Sequence, residues 1–384
     1  MKIAQLAPLA LPVPPGGYGG TERVVAELTD ELVQRGHEVT LFAAGGSGTK
    51  AQLHPVTPQP LWNQNVFDPI AYQTLLITKV METADEFDVI HSHLEHFAWP
   101  ISRYLDTPLL TTMHWRLDQP ELRAVAKHYP DLPLVSISDA HRQPLADLNL
   151  NWVATIYHGL NLDVTYQLGS GEGDYLVFLG RVSEEKGTAT AIQIAIRAGI
   201  PIKIAAKVAL QEYMDNDYSS DYFKRSIAPL LDHPLVEWVG EQDDRGKDQL
   251  LGGARALLMP IAYEEPFGLT FIEAMACGTP VITRPRGAAP EIIKVGKTGY
   301  LAETEDELLE ACFVVKGLDR ATCRDWALEQ FSASRMAGDY ERVYQRLVDQ
   351  KTVSDLLPSL NESYRLAVSS TNGHYSDKAG ALPI

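Results

Sequence analysis

Glu265-Pro266-Phe267-Gly268-Leu269-Thr270-Phe271-Ile272-Glu273-Ala274-Met275-Ala276-Cys277-Gly278-Thr279-Pro280 decides how the rest of the chain is read. A short apolar run precedes it, Ala256 to Met259, and another follows, Val281 to Thr283. Each has the length and composition of a buried strand, so the stretch between them is the loop and helix of a β-loop-α-β unit. Pro266 suits the approach to a helix, Gly268 lets the backbone come close to a ligand, Leu269 to Ala276 are compatible with a helix, and Gly278 suits its C-terminal turn. One carboxylate, Glu265, is thus expected in the loop and another, Glu273, inside the helix. Both lie near the C-terminal edge of a parallel sheet, where open α/β folds bind ligands. The helix-start amides of Gly268, Leu269 and Thr270 make a positive pole suited to a phosphate group. Glu273 is placed to accept hydrogen bonds from a vicinal diol such as a ribose, and Glu265 from hydroxyls of a second sugar. An isolated pair of glutamates would be read as one helix-start acid and one solvated acid; other stretches of the chain argue for the ligand.

The stretch resembles the Glu-x7-Glu signature of retaining glycosyltransferases, most closely the family 4 enzymes (glycosyl transferases group 1). The likeness extends through Tyr18-Gly19-Gly20-Thr21-Glu22-Arg23-Val24, Arg35-Gly36-His37-Glu38-Val39, Phe87-Asp88-Val89-Ile90-His91-Ser92-His93, Gly180-Arg181 with Lys186-Gly187, and the Glu265 block. In order and spacing together these are specific, where any one alone is weak. The resemblance implies an α/β protein of the GT-B fold, with two Rossmann-like doubly wound domains facing a central cleft and a C-terminal helix crossing back to the N-terminal domain. It implies an acceptor-binding domain over 1–165, a domain binding a nucleotide-sugar donor over 166–330, and the crossing helix and tail over 331–384.

Length and composition agree with this. A chain of 384 residues exceeds the usual single-domain size, and its 45% hydrophobic and 22% charged residues are those of an ordinary globular protein. A formal net charge of -17 argues against nucleic acid or an anionic membrane surface as the main partner, since either needs a basic face. A local basic patch stays open. Cys277, Cys312 and Cys323 are far apart, odd in number and without metal-ligand spacing, which suits buried thiols in a reducing, cytoplasmic setting. Met1 to Leu6 leads into a strand-like run that stops at Pro8, so no cleavable signal sequence is expected. Ala189 to Leu210 is interrupted by Arg197, Gly199, Pro201, Lys203 and Lys207, and reads as helix, turn and strand rather than as a membrane span.

In the N-terminal half, Ile3 to Ala7 reads as the first strand and Leu9 to Gly20 as a loop of Pro and Gly. A helix is expected from about Thr21 to Arg35, with Val24, Val25, Leu28 and Leu32 on one face, Thr21 as N-cap and Gly36 closing it. Val39 to Ala43 returns as a strand. The crossover lacks G-x-G-x-x-G, which disfavours a nicotinamide cofactor. The family has a glycine pair just ahead of this helix, near the donor's diphosphate, and Gly19 and Gly20 match it; Gly16 and Gly17 read as an extra pair or as flexible loop. Val89 to His91 and Leu109 to Met113 are later strands, each ending in histidines. His91, His93 and His96 with Glu95 suit either a metal or the neutral lining of a cleft, and no further ligand set favours the metal. His114 matches a family histidine close to the transferred sugar; Trp115 follows where the family often has glycine, which alters the cleft there. Val135-Ser136-Ile137-Ser138 reads as the last strand of this domain, and His158-Gly159 stands where Asn-Gly is common. The run Gly169-Ser170-Gly171-Glu172-Gly173 has linker composition and marks the boundary.

In the C-terminal half, the apolar strand Tyr175 to Leu179 leads to Gly180-Arg181 and Lys186-Gly187, opening a helix to about Ala198. Two cations around one strand end, with helix amides behind them, make a site for a dianionic diphosphate. After the strand Ile202 to Ala206 comes Lys207, where the family usually has glycine: a third cation near the donor, or an exposed lysine. Leu235 to Val239 leads to Gly240-Glu241, where related enzymes hold the nucleobase mainly through backbone. Asp215-Asn216-Asp217 superficially resembles the metal-binding triplet of other glycosyltransferases, but lies in a Tyr- and Ser-rich segment that reads as a solvated loop. Tyr340, Val343, Tyr344 and Leu347 repeat at helical spacing. From Ser369 the tail is polar and carries no recognisable motif.

The resemblance implies transfer of a sugar from a nucleotide diphosphate donor, uridine diphosphate glucose by default, to an acceptor hydroxyl. It implies retention, an α-linked product, and neither a metal nor another cofactor. Arg181, Lys186 and the Gly268 to Thr270 amides would balance the charge of the departing diphosphate. Glu265 would orient the sugar, Glu273 the ribose and His114 the sugar's far side, which makes His114, Arg181, Lys186 and Glu265 the catalytic set. Gly19, Gly20, Gly240, Phe267, Gly268, Leu269, Thr270 and Glu273 complete the expected donor site. No second carboxylate is obviously placed as a covalent nucleophile, which fits the front-face route proposed for this family. The expected partners are the donor and a small-molecule or saccharide acceptor. The acidic balance leans towards a soluble acceptor over a membrane lipid and disfavours, without forbidding, membrane association. A nucleotide-sugar 2-epimerase on the same scaffold and a non-catalytic nucleotide-sugar sensor are the rival readings.

Overall fold

The computed structural model describes residues 1–64, 66–207 and 221–371. Asp215-Asn216-Asp217 and the tail beyond Thr371 lie outside the described residues. Among the described residues the strands form two parallel sheets. The first contains β1 (Lys2–Leu6), β2 (Glu38–Ala44), β3 (Gln52–Thr57), β4 (Val89–Ser92), β5 (Leu109–Thr112), β6 (Leu134–Ser136) and β7 (Trp152–Thr155), in the order β3-β2-β1-β4-β5-β6-β7. The second contains β8 (Leu176–Arg181), β9 (Ile202–Lys207), β10 (Val236–Trp238), β11 (Ala256–Met259), β12 (Val281–Thr283) and β13 (Gly299–Leu301), in the order β10-β9-β8-β11-β12-β13. Leu176, Val177, Phe178, Leu257, Leu258 and Met259 are buried, as they must be in strands covered on both faces. That is why these strands read as apolar runs rather than as alternating patterns.

Each sheet reverses its winding between its first strand and its fourth, and a crevice opens where the two neighbouring loops diverge. In the second sheet these are the loops after β8 and β11, which carry Arg181 to Lys186 and Pro260 to Gly268. In the first they are the proline- and glycine-rich loop after β1 and the segment from His93 after β4. Five helices matter for the site: α1 (Gly20–Gln34), α2 (Thr188–Ala198), α3 (Asp244–Gly253), α4 (Leu269–Ala276) and α5 (Ala333–Thr371). Helix α5 crosses back to the first domain, where Tyr340 and Tyr344 are buried and the Tyr344 hydroxyl reaches Gln5 (3.1 Å) and His91 (2.7 Å). Its start is pinned by Leu160, whose N–H donates to the Phe331 carbonyl and whose own carbonyl accepts from Ala333 (both 3.0 Å). A Cβ on Gly159 would sit 2.2 Å from the Ser332 carbonyl oxygen, so the glycine of His158-Gly159 is needed for this close approach.

Several expectations need correction. The last strand of the first domain is β7, not the Val135 to Ser138 segment; Trp152 to Thr155 is a four-residue, half-buried edge strand that offers little periodicity. Strand β3 was equally inconspicuous, because Pro55 interrupts it. The N-cap of α1 is Gly19 at φ 140, not Thr21, and no side chain caps the helix. A Cβ on Gly19 would come within 2.8 Å of Leu11, so loop packing fixes the helix start. The glycine-rich run is no free tether: Gly169, Gly171 and Gly173 donate to the carbonyls of Cys277, Gly252 and Gly253, each at 3.0 Å. Among the described residues no helix is long and apolar enough to cross a membrane.

Candidate active site

The two loops at the switch point of the second sheet are drawn together by backbone. Ala262 N donates to the Glu185 carbonyl at 2.7 Å, and Gly187, at φ 76, lies so close to Pro260 that a Cβ would be 2.3 Å from its carbonyl oxygen. This places Lys186 Nζ 2.5 Å from Glu265 Oε2, which also accepts the Tyr263 hydroxyl at 2.6 Å. The ammonium lies 4.9 Å from the centre of the Tyr263 ring. Burial, and then the adjoining Glu265 charge, push the Tyr263 phenol well above its usual range, so it stays a neutral donor. Arg181 is more exposed and pairs with Glu185 at 2.8 Å. The first domain adds Arg116, which lies 3.4 Å from Glu185 and 2.6 Å from Asp118, with its guanidinium over the Tyr263 ring. A cavity between the domains is lined by Arg116, Asp118 and His141 on one side and Glu265, Pro266 and Gly287 on the other. Arg181, Lys186 and Glu265 therefore belong to one neighbourhood.

Glu273 sits further along α4 in a second, buried cluster. Its Oε1 accepts Lys247 Nζ at 2.7 Å and the Tyr166 hydroxyl at 2.8 Å, and Oε2 accepts no hydrogen bond among the described residues. Lys247 also meets Asp244 at 3.2 Å, and Asp244 receives Arg23 from the first domain at 2.8 Å. Arg23 in turn donates to the Gly17 carbonyl at 3.3 Å, tying the glycine loop to this cluster. A Cβ on Gly20 would be 3.2 Å from Leu269 and one on Gly17 would be 2.8 Å from Glu241, so both glycines lie where the domains touch. Glu241 accepts Tyr18 N at 3.0 Å and lies 3.6 Å from Lys207, whose ammonium stands over the Tyr18 and Trp62 rings. Lys207 is therefore no free exposed lysine, and in the sheet it stands in register with Arg181.

At the head of α4, Gly268 is the N-cap at φ 93, and Thr270 Oγ1 lies 3.4 Å from Met259 Sδ. The Phe267 side chain faces away from any crevice: it is 2% exposed and packs against His158 and Phe331, leaving only its backbone for a ligand. Gly240, at φ 73, closes the strand edge after β10.

His91, His93 and His114 are buried rather than exposed on an open cleft. His91 and His93 are buried among Gln5, Thr112 and Tyr344, and His114 is joined to His93 at 2.8 Å. Burial holds all three well below the ordinary histidine range, so each is neutral. Among the described residues no group of three or more His, Cys, Asp or Glu could hold a metal ion. Glu95, in the left-handed region at φ 53, instead turns its carboxylate onto the amides of His114 (2.9 Å) and Trp115 (3.1 Å). Burial raises it to about 7.

A family model described as Glycosyltransferase Family 4 matches residues 18–164, and one described as Glycosyl transferases group 1 matches residues 167–311. The chain belongs to this glycosyltransferase family. It is 23% identical over 386 residues to the phosphatidyl-myo-inositol mannosyltransferase of Mycobacterium leprae (strain TN), covering 90% of this chain and 96% of the relative. It is 24% identical over 381 residues to N-acetyl-alpha-D-glucosaminyl L-malate synthase of Bacillus anthracis, covering 85% and 93%. The structure of Anabaena HepE, solved with UDP and glucose, matches with a TM-score of 0.68 at 19% identity, over 90% of this chain and 99% of that one. The two facing Rossmann-like sheets are thus the GT-B fold.

For a glycosyltransferase of this fold, the residues that sequence reasoning missed are those that hold the motif residues in place. Tyr263 and Arg116 surround Lys186 and Glu265, while Tyr166, Lys247 and Arg23 surround Glu273. Arg23 lies in the Tyr18 to Val24 stretch that resembles the family, so its position is legible in the sequence though its partners are not. Tyr166 and Lys247 carried no signal of their own.

Proposed function

We propose that this glycosyltransferase moves a sugar from a nucleoside diphosphate sugar to an acceptor hydroxyl with retention, giving an α-glycoside. The observation that supports this best is the pairing of Lys186 with Glu265 at the switch point of the second sheet, with Arg181 and Arg116 beside them. A dianionic leaving group entering there meets Lys186, Arg181 and the α4 amides, which together stabilise the charge that grows as the glycosidic bond breaks. We assign that work to these groups rather than to a metal. Glu265 keeps Oε1 for a sugar hydroxyl and Glu273 keeps Oε2 for the ribose diol. In a front-face reaction the departing phosphate oxygen takes the acceptor's proton, so no protein carboxylate need act as nucleophile.

The relatives' names speak of different sugars, mannosyl in one and N-acetylglucosaminyl in another, whereas HepE was solved with UDP and glucose. We take uridine diphosphate glucose as the first donor to test. The acidic surface favours a soluble acceptor. A thermal-shift screen over nucleotide sugars identifies the donor, because a ligand bound only by the folded state raises the melting temperature. Donor turnover is then followed with and without acceptor pools and with a chelator. Transfer needing acceptor, unaffected by chelator and yielding an α-anomer by NMR, is the expected result. Sugar interconversion without acceptor would mean an epimerase, and binding without sugar release a sensor.

A further inference from the structure

The arginines beside Lys186 already hold an anion of the chain's own. Arg181 Nη2 donates to Glu185 Oε1 at 2.8 Å, and Arg116 of the first domain lies 3.4 Å from Glu185 Oε2, so one carboxylate spans two guanidinium groups from different domains. Among the described residues the Arg181 guanidinium has no other hydrogen-bond or ion-pair partner, whereas Arg116 is also gripped by both oxygens of Asp118 (3.1 and 2.6 Å). The turn that carries Glu185 is fixed by its backbone. Val182 N donates to the Lys207 carbonyl (3.1 Å), Gly187 N to the Glu184 carbonyl (3.0 Å), and the Glu185 carbonyl accepts Ala262 N (2.7 Å). The Glu185 side chain is 33% exposed, so its carboxylate can swing into water while the turn stays in place. The ion pairs here join Lys186, Arg181 and Arg116 with Glu265, Glu185 and Asp118, which leaves these cations already matched one for one. A dianion entering such a set finds no unpaired positive side chain unless a carboxylate leaves. Glu185 is the carboxylate shared by two of the cations, so its departure frees both.

We propose that Glu185 is an internal competitor for the donor's diphosphate: it holds Arg181 and Arg116 before the donor binds, yields them when the diphosphate enters, and returns to help expel the nucleoside diphosphate after transfer. A diphosphate has more charge and more oxygens than a carboxylate, and guanidinium forks suit it at least as well. A neutral sugar ring has no means of displacing a paired carboxylate. Glu185 is thus a specificity-determining residue: it weakens every anion at this place, and only one that also reaches Lys186 and the α4 amides makes good the loss. The competition is electrostatic and rests on the transferase reading only for the owner of the diphosphate.

The test measures binding of inorganic pyrophosphate to the full chain by calorimetry at low ionic strength, in wild type, Glu185→Gln and Glu184→Gln. The two variants change the net charge equally and at adjacent positions, but of the two acids only Glu185 pairs with Arg181 and Arg116. Glu185→Gln is expected to bind pyrophosphate about fivefold more tightly than wild type, the worth of an exposed ion pair, and Glu184→Gln to bind as wild type does. The gain should fade at high salt, which screens exposed charges. Once a donor is identified, its nucleoside diphosphate should inhibit Glu185→Gln more strongly than wild type by the same factor. Equal affinities in wild type and Glu185→Gln, an equal gain in Glu184→Gln, or no pyrophosphate binding by any of the three overturns the proposal. Tighter pyrophosphate binding by Glu185→Gln with no nucleotide sugar turned over would instead sink the functional reading and leave the competition standing.

Discussion

Glu265 and Glu273 are held in the same manner at either side of the α4 start: each gives one carboxylate oxygen to a lysine and a tyrosine. On Glu265 Oε2 these are Lys186 (2.5 Å) and Tyr263 (2.6 Å); on Glu273 Oε1 they are Lys247 (2.7 Å) and Tyr166 (2.8 Å). Their remaining oxygens, Glu265 Oε1 and Glu273 Oε2, take no hydrogen bond among the described residues. The lysine gives the buried acid an ion-pair partner, and the hydroxyl fixes its orientation. A loop acid and a helix acid thus each keep one oxygen free among the described residues, as the proposed hydroxyl contacts require.

Lys186→Ala is expected to lower turnover by on the order of a hundredfold or more, through lost stabilisation of the departing diphosphate. Initial rates at saturating donor measure it. Because Glu265 then loses its partner in a nearly buried place, some stability should go too, which urea unfolding separates from the catalytic loss. Turnover near that of wild type would remove Lys186 from its assigned role.

Glu273→Ala should chiefly weaken donor binding, read by calorimetry with the nucleotide alone. Lys247→Met tests the support: it leaves Glu273 buried with only Tyr166, and should cost about 3 kcal/mol of stability in urea melts. An affinity for the nucleotide unchanged in Glu273→Ala would count against the ribose contact, and an undiminished stability of Lys247→Met against the buried pair.

Much of this was legible in the chain because it is local. β8, β11 and β12 announce themselves as apolar runs, and the order strand, glycine, cation or strand, acid, helix puts Arg181, Lys186 and Glu265 at one sheet edge whatever the details. What was not legible depends on distant partners. Nothing near Lys247 or Tyr166 says that each ends on Glu273, and His91 looks like a cleft histidine until α5 covers it with Tyr340 and Tyr344. The burial of the Phe267 ring is illegible for the same reason: it is claimed by His158 and Phe331, which the motif does not contain.

Glu95 makes a prediction about pH. Burial, only partly offset by the two amide hydrogen bonds, raises it from 4.5 to about 7. An acid whose folded pKa lies above its unfolded value binds its proton more tightly when folded. Its contribution to stability is therefore complete below about pH 4.5 and is lost as the pH rises through about 7. The buried histidines act with the opposite sign: His141, lowered by burial to about 4, and His158, to about 3, lose stability as the pH falls below 6.5. Glu95→Gln keeps an oxygen for the amides of His114 and Trp115 but does not titrate, so the difference between the two proteins isolates the carboxyl. Relative to the variant, wild type should lose up to about 3 kcal/mol between pH 5 and pH 8 in urea melts. A difference that does not vary with pH would mean that Glu95 keeps its ordinary acidity.

The domain interface gives the last prediction. Glu291 of the second domain accepts Asp139 N (2.8 Å) and the Tyr157 hydroxyl (3.0 Å) on Oε2, and Ala140 N (2.7 Å) on Oε1; Ser138 Oγ donates to the Pro266 carbonyl at 2.8 Å nearby. All of these donors belong to the first domain, so one carboxylate fastens it beside the cavity that Glu265 lines. Closing such a cavity keeps water from the activated sugar. Glu291→Ala should therefore raise the ratio of donor hydrolysis to transfer severalfold and increase the radius of gyration of the ligand-free protein in solution scattering. If both quantities stay at their wild-type values, the closed arrangement does not depend on this clamp, and Arg23 with Asp244 at the other end of the interface carries it instead.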